Sequence, residues 1–168
     1  MAAIMRQPEL WDKNTLRTEH EASPHTQVSD IWLRFNDLEK FKAENEYAGV
    51  IDEHESIDYP AFVLLPQARQ LIFDLMRVVE GKRLGRVLIT KMVPGTKIDP
   101  HVDGGEHAKY YERYHIILQN NPGSIFRCGK ETICSAAGEV WWFNNQIEHE
   151  VINNSNDDRI SMIVDIKC

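Results

Sequence analysis

Two short stretches, Asp99-Pro-His-Val-Asp103 and Ile147-Glu-His-Glu-Val151, hold the residues best suited to chemistry. Together they offer two imidazoles and a carboxylate, His101, Asp103 and His149. His-x-Asp followed by a distant His is the sequence form of the 2-His-1-carboxylate facial triad. Such a triad grips Fe(II) by one octahedral face and leaves the opposite face to a cosubstrate and O2. Arg159 follows ten residues after His149. A metal site with a fixed cation nearby suits a metal-chelating dicarboxylate, of which 2-oxoglutarate is the usual one. The plainer reading of Arg159 is a surface salt bridge to Asp157 or Asp158, since exposed pairs of this kind are common and nearly neutral in energy.

A His-x-Asp pair is common by itself, and its setting decides its weight. In extended chain, residues two apart point to one face, which places His101 and Asp103 together. Pro94-Gly-Thr96 before them and Gly104-Gly105 after them mark turns, so the pair belongs at a strand end or in a loop. His149 lies in a separate segment where apolar residues alternate. His20, His25, His54 and His107 occupy polar stretches and are expected to be solvated.

Composition narrows the function. The chain has 168 residues, 42% of them hydrophobic and 27% charged, enough for one domain with a sizeable core. A net charge of -7 argues against a sequence-independent grip on nucleic acid, which needs a basic surface. The apolar runs are too short to span a bilayer, and the N-terminus lacks the order of a signal peptide. Three cysteines make a poor disulfide framework and fit reduced thiols in a cytoplasm. Cys128 and Cys134 are expected to pack as small core hydrophobes on neighbouring strands.

The elements that must position these residues change character along the chain. Residues 66–80 read as a helix: Leu65, Ala68, Leu71, Ile72, Leu75, Met76 and Val79 recur at helical spacing, with Pro66 at the start and Gly81 at the stop. This helix should cover the outside of a sheet. From residue 84 the period becomes two. Segments 86–93, 112–119, 124–128, 131–135, 140–144, 149–153 and 159–167 read as short strands separated by Asn, Asp, Pro and Gly turns. That spacing means a mainly β sandwich or barrel. The whole chain, 1–168, reads as a single domain, with 1–83 an N-terminal extension and support helix and 84–168 the barrel core.

Strand parity sorts the faces. Ile160, Met162, Val164 and Ile166 form one purely apolar face that must bury against the helix or an opposing sheet; Arg159, Ser161, Ile163 and Asp165 form the other. Arg113 and His115 also share a face. Arginines amid apolar strands are costly to bury without anions. For Arg113 that anion is either a bound dicarboxylate or Glu112 or Glu106.

The N-terminal part is polar and irregular, with a short strand at Ile31-Trp-Leu-Arg-Phe35 and an acidic stretch over 44–58 that reads as a solvated loop or as a rim attracting a cationic substrate. Trp32 and Arg34 are the candidates for closing over the metal and selecting substrate. A structural strap on the barrel's outer face is the alternative.

Three stretches together resemble the aspartyl/asparaginyl β-hydroxylase family: Pro94-Gly-Thr-Lys-Ile-Asp-Pro-His101, Phe126-Arg-Cys-Gly-Lys-Glu-Thr132, and Gly138-Glu-Val-Trp-Trp-Phe-Asn-Asn-Gln-Ile-Glu-His-Glu-Val151, closing with Arg159-Ile-Ser-Met-Ile-Val-Asp165. The likeness covers residues 86–166. It implies a double-stranded β-helix, the cupin-like jelly roll, holding Fe(II) and the cosubstrate 2-oxoglutarate. By this resemblance His101 and His149 are metal ligands and Arg159 takes the distal carboxylate of 2-oxoglutarate with help from the Thr90 hydroxyl. Arg113 and His115 match an Arg-x-His pair near the proximal carboxylate. Animal members of the family lack the carboxylate ligand that Asp103 supplies here.

The implied activity is Fe(II)/2-oxoglutarate-dependent dioxygenase chemistry: hydroxylation of an unactivated C–H in an amino acid, a peptide Asp or Asn, or a related small molecule. O2 is consumed, ascorbate supports the iron, and neither nucleic acid nor membrane takes part. Trp141, Trp142 and Phe143 are expected either in the core or excluding water from the site. A metal-dependent cupin hydrolase or isomerase and a non-catalytic cupin binding module are the competing readings.

Overall fold

The computed structural model describes residues 1–19, 22–40 and 54–168. His20 and most of the acidic stretch lie outside the described residues. Ten strands run in chain order: β1 (Ser29–Phe35), β2 (Ile57–Asp58), β3 (Arg83–Met92), β4 (Thr96–His101), β5 (Glu112–Gln119), β6 (Ser124–Cys128), β7 (Glu131–Ile133), β8 (Val140–Trp142), β9 (His149–Asn153) and β10 (Arg159–Lys167). They form a six-stranded sheet, β2-β1-β3-β10-β5-β8, and a four-stranded sheet, β4-β9-β6-β7. Every pairing is antiparallel. Met92 of the larger sheet packs with Ile98, Phe126 and Val151 of the smaller one, so the sheets face each other over a shared core. This is the cupin-like double-stranded β-helix.

The parity of β10 explains how the layers stack. Ile160, Met162, Val164 and Ile166 pack with Ala68, Ile72 and Leu75 of the Pro66–Val78 helix, in one cluster with Ile31, Leu33, Val87 and Ile89. Apolar burial against that helix is the driving force for this layer. Leu71 and Phe73 of the helix stay exposed. The opposite face of β10 is left to Arg159, Ser161, Ile163 and Asp165, which look into the barrel.

Where the chain departs from the sequence pattern, a local reason is visible. The N-terminal part is more than an extension, because β1 pairs with β3 and lengthens the larger sheet. The turn expected at Pro94-Gly-Thr96 falls at Gly95, in the left-handed region, and the strand β4 that follows from Thr96 ends at His101. A helix at Gly105–Tyr110 was also hidden, in polar sequence. Gly85 allows the Tyr111 ring to lie against β3, where a Cβ would sit 2.9 Å from it. Trp141 and Trp142 are exposed on the edge strand β8, so they are not core residues. Cys134 is exposed, against its expected role as a core hydrophobe, whereas Cys128 is half-buried and packs against the smaller core cluster. Among the described residues no helix is long and apolar enough to cross a membrane.

A candidate metal centre and the cavity beside it

His149 opens β9 and alternates with Val151 and Asn153, all three buried. It pairs in register with His101 at the end of β4. On β4, however, simple alternation from the buried Ile98 would turn His101 outward. The register between the two strands slips there: three steps on β4, from Ile98 to His101, match two on β9, from Val151 to His149. The extra residue is a β-bulge at Asp99-Pro100, and it re-aims His101 to the inner face. Proline suits such a position because it has no N–H to give to a ladder. Asp103 follows in a loop fixed to the loop before β9. Its N–H donates to Asn145 O at 3.0 Å, and its carbonyl accepts from Gln146 Nε2 at 3.2 Å.

The three ligand atoms offered by His101, Asp103 and His149 lie within 4.8 Å of one another. His101 Nε2 is 3.6 Å and His149 Nε2 3.9 Å from Asp103 Oδ1. Each ring gives its Nδ1–H to a backbone carbonyl, His101 to Asp99 O at 2.7 Å and His149 to Ile147 O at 2.9 Å. A carbonyl only accepts, so in the neutral form of either ring the lone pair is on Nε2. Fixing the tautomer through the far ring nitrogen is how proteins prepare histidine for metal. Burial pushes the His149 ring below its ordinary pKa, which keeps its lone pair available. Two imidazoles and a carboxylate at this separation suit a divalent first-row cation.

The other oxygen of the carboxylate is also spoken for. Arg113 Nη1 donates to Asp103 Oδ2 at 2.6 Å. The same guanidinium holds Asp165 by two bonds, Nε to Oδ1 at 2.8 Å and Nη2 to Oδ2 at 2.9 Å. His107 Nε2 donates to Asp165 Oδ2 at 2.9 Å. His107 is therefore buried in the site's support, against the expectation of a solvated side chain, and Arg113 pairs with neither Glu112 nor Glu106. Burial alone would raise the Asp165 carboxyl, but Arg113 and the hydrogen bonds from His107 and Arg113 hold it well below the usual carboxylate range. Burial opposes charge on Arg113, and Asp103 with Asp165 outweighs it, so its pKa is raised.

Arg159 is the opposite case. It is 4% exposed, and the partner within hydrogen-bond distance is a neutral one, Ser161 Oγ, which accepts from Nη1 at 3.1 Å. Burial with no facing carboxylate pushes its pKa down to about 10. Neither Asp157 nor Asp158 pairs with it among the described residues. Thr90 is the cross-strand partner of Ser161, yet its hydroxyl donates to Asp30 Oδ1 at 2.7 Å. The hydroxyl beside Arg159 is that of Ser161, a residue the sequence pattern had placed on the correct face without a role.

Arg159 and His115 line one cavity of about 470 Å³, together with Phe126, Phe143, Trp141 and Trp142. His115 lies well below its ordinary pKa because it is buried and because Arg159 and Arg113 repel a second charge. The Phe143 ring bridges the cavity to the metal ligands, 5.1 Å from the His115 ring and 4.7 Å from that of His149. Arg113 does not line this cavity. Trp141 and Trp142 flank it from the edge strand, so they stand at its rim.

Trp32 and Arg34 do not reach the site. Trp32 is buried with Phe35 and Leu88. Arg34 is tied to Asp58, to Ser56 O at 2.7 Å and to Gly85 O at 3.3 Å. The N-terminal residue beside the candidate ligands is His25, whose ring lies edge-on to His101 at 5.0 Å. It too had been expected in solvent. His54 is likewise stacked, on Tyr110 at 4.3 Å.

The barrel and its His101, Asp103 and His149 cluster define a cupin-like protein with a candidate metal site. Within that class the chain belongs to the aspartyl/asparaginyl beta-hydroxylase family, whose model matches residues 9–168. It is 30% identical over 86 residues to the aspartyl/asparaginyl beta-hydroxylases of mouse and human. That match takes in 51% of this chain and 11% of each relative. Solved structures similar to it include a predicted oxalate decarboxylase from Thermotoga maritima, at 17% identity and a TM-score of 0.42 over 55% of this chain and 74% of that one. A cupin domain from Bordetella pertussis gives 17% identity and a TM-score of 0.40 over 52% and 85%.

Proposed function

We propose that this chain is an Fe(II)/2-oxoglutarate-dependent dioxygenase that hydroxylates an unactivated C–H of an amino acid, a peptide Asp or Asn residue, or a related small molecule. The observation that carries this reading is Arg159, a buried guanidinium facing a cavity with only a serine hydroxyl for company. A charge held this way is costly unless an anion arrives. A dicarboxylate supplies one, and the planar fork of arginine matches a carboxylate in a bidentate pair. His115 lines the same cavity as a neutral donor or acceptor for the other end of that ligand.

His101, Asp103 and His149 would hold the iron. Bound iron with 2-oxoglutarate and O2 supplies the oxidising power for C–H hydroxylation. The chain's own residues do the rest. Arg113 holds the Asp103 carboxylate in one orientation, so that Oδ1 stays turned to the two Nε2 atoms. Phe126, Phe143 and the apolar lining keep water from the buried charge.

The test is to mix the protein with Fe(II), ascorbate and 2-oxoglutarate and measure succinate, then to screen amino acids and Asp- or Asn-containing peptides for a mass gain of one oxygen. Succinate formation that depends on both metal and 2-oxoglutarate is expected. Hydrolysis or isomerisation of a screened compound without consumption of 2-oxoglutarate would replace this reading with another use of the same metal.

A further inference from the structure

The N-terminal segment runs along β4 and delivers one side chain to the metal. Asp99 N–H donates to Pro24 O at 3.2 Å, and Lys97 N–H to Gln27 Oε1 at 3.1 Å. His25 lies between these anchors, with its ring against His101. Its orientation is not left to chance. Arg17 Nη2 donates to His25 Nδ1 at 3.0 Å. A guanidinium has no acceptor, so Nδ1 must be the accepting nitrogen and the ring proton must sit on Nε2. Arg17 is itself fixed by Asp30, Nη1 to Oδ2 at 2.6 Å, and Asp30 by Thr90. The chain Thr90–Asp30–Arg17–His25 therefore sets a tautomer. Burial and then Arg17 keep the ring well below its ordinary pKa, in line with a neutral imidazole.

A protonated Nε2 cannot ligate the metal, and His25 stands apart from the ligand triad. Among the described residues its Nε2–H meets no acceptor. The result is a fixed donor at the edge of a metal centre, with no acceptor of its own.

We propose that His25 is a specificity-determining residue, giving its Nε2–H to a carboxylate or carbonyl oxygen of the molecule that reacts at the metal. This rests on the dioxygenase reading for the identity of the reaction but not for the contact itself. The substrate class it selects bears such an oxygen close to the carbon attacked. Thr90, expected to serve Arg159, serves this second device instead.

Acetate is a suitable probe. Load the protein with Co(II), follow the visible band of the metal, and titrate acetate into wild type, His25→Leu, His25→Asn and His25→Gln. Gln reaches about as far as Nε2 and keeps a donor there, whereas Asn mimics Nδ1. Acetate affinity should fall about tenfold or more in the Leu and Asn variants and stay near wild type in Gln, the effect of one hydrogen bond to an ionised acceptor. Co(II) affinity should be the same in all four. If Asn and Gln behave alike, or if Co(II) affinity falls in step with acetate, His25 is structural and the proposal fails. Failure of acetate to perturb the wild-type band overturns it as well. A missing response to 2-oxoglutarate in the same samples would count against the dioxygenase reading alone.

Discussion

The barrel holds two arginines near the candidate site, Arg159 buried and Arg113 partly buried, and the protein treats them in opposite ways. Arg113 spends three donors on two carboxylates, Asp165 and Asp103. Arg159 has a serine hydroxyl. Around Arg113 the charges are balanced by the chain itself, so that region is support. Around Arg159 the balance is left open toward a cavity, which is what the proposed ligand would close. A buried ion pair is weak grounds for stability, but a buried charge lacking its partner is a strong sign that something outside the chain completes it.

The largest effect should come from breaking the balanced side. Arg113→Met takes the guanidinium from Asp103 and leaves the buried Asp165 to its His107 hydrogen bond. Removing one partner of such a network costs about 3–5 kcal/mol. Denaturant unfolding should show that loss, with weakened Co(II) binding beside it. A loss below 1 kcal/mol would mean that the two carboxylates find other donors, and the contrast would dissolve.

Acid should reach the same network more gently. A carboxyl held below its ordinary pKa stabilises the fold above that ordinary value, about 4, and the benefit is lost as pH falls toward the folded value. Asp165 is such a group. Wild type should lose stability as pH drops below about 4. Asp165→Asn should start less stable and show a flatter acid limb. Parallel acid limbs would place the sensitivity elsewhere.

On the open side the sign should reverse. Arg159→Met removes an uncompensated charge, so the ligand-free protein should be equally stable or more so. The same variant should lose the stabilisation that 2-oxoglutarate gives the metal-loaded wild type, about 2.7 kcal/mol at a hundredfold excess over Kd. Arg159→Lys should raise the apparent KM for 2-oxoglutarate while metal affinity holds, a loss of about 2 kcal/mol for one charged hydrogen bond. Thermal shifts with and without 2-oxoglutarate separate these cases. A ligand-free Arg159→Met as damaged as Arg113→Met would show that the two arginines are alike. The smallest effect belongs to Ser161→Ala, about 1 kcal/mol on 2-oxoglutarate affinity.

Much of this was legible in local pattern. The four strands Glu112–Gln119, Ser124–Cys128, His149–Asn153 and Arg159–Lys167 lie where alternation puts them, and β10 divides its faces as parity requires. Alternation is local, so one stretch of chain reveals it. The cluster of His101, Asp103 and His149 was legible because candidate metal ligands are of particular residue types. What stayed hidden depends on distance. Asp165 lies 52 residues from Arg113 and 58 from His107, and nothing in the polar run around His107 announces burial. His25 was read as solvent-exposed for the same reason: its partners, Arg17 and the metal edge, are assembled by the fold. Trp141 and Trp142 misled because aromatic strand residues usually fill cores, whereas β8 is an edge. Thr90 lies opposite the hydroxyl that meets Arg159, a single cross-strand position away.

The bulge in β4 gives the metal site something like a reading frame. Up to Ile98 the strand counts inward positions in one phase, and from His101 it counts in the other. Residue identity at Asp99 and Pro100 matters less to that count than their number. Loss of one residue there would leave two steps on β4 to match the two on β9, so the ladder could close without a bulge and the histidine would keep its inner face on a shorter arm. Loss of two would leave a single step and turn the histidine outward. The segment can therefore trade its bulge for regular pairing at the cost of one residue, whereas a loss of two takes the histidine out of the candidate site.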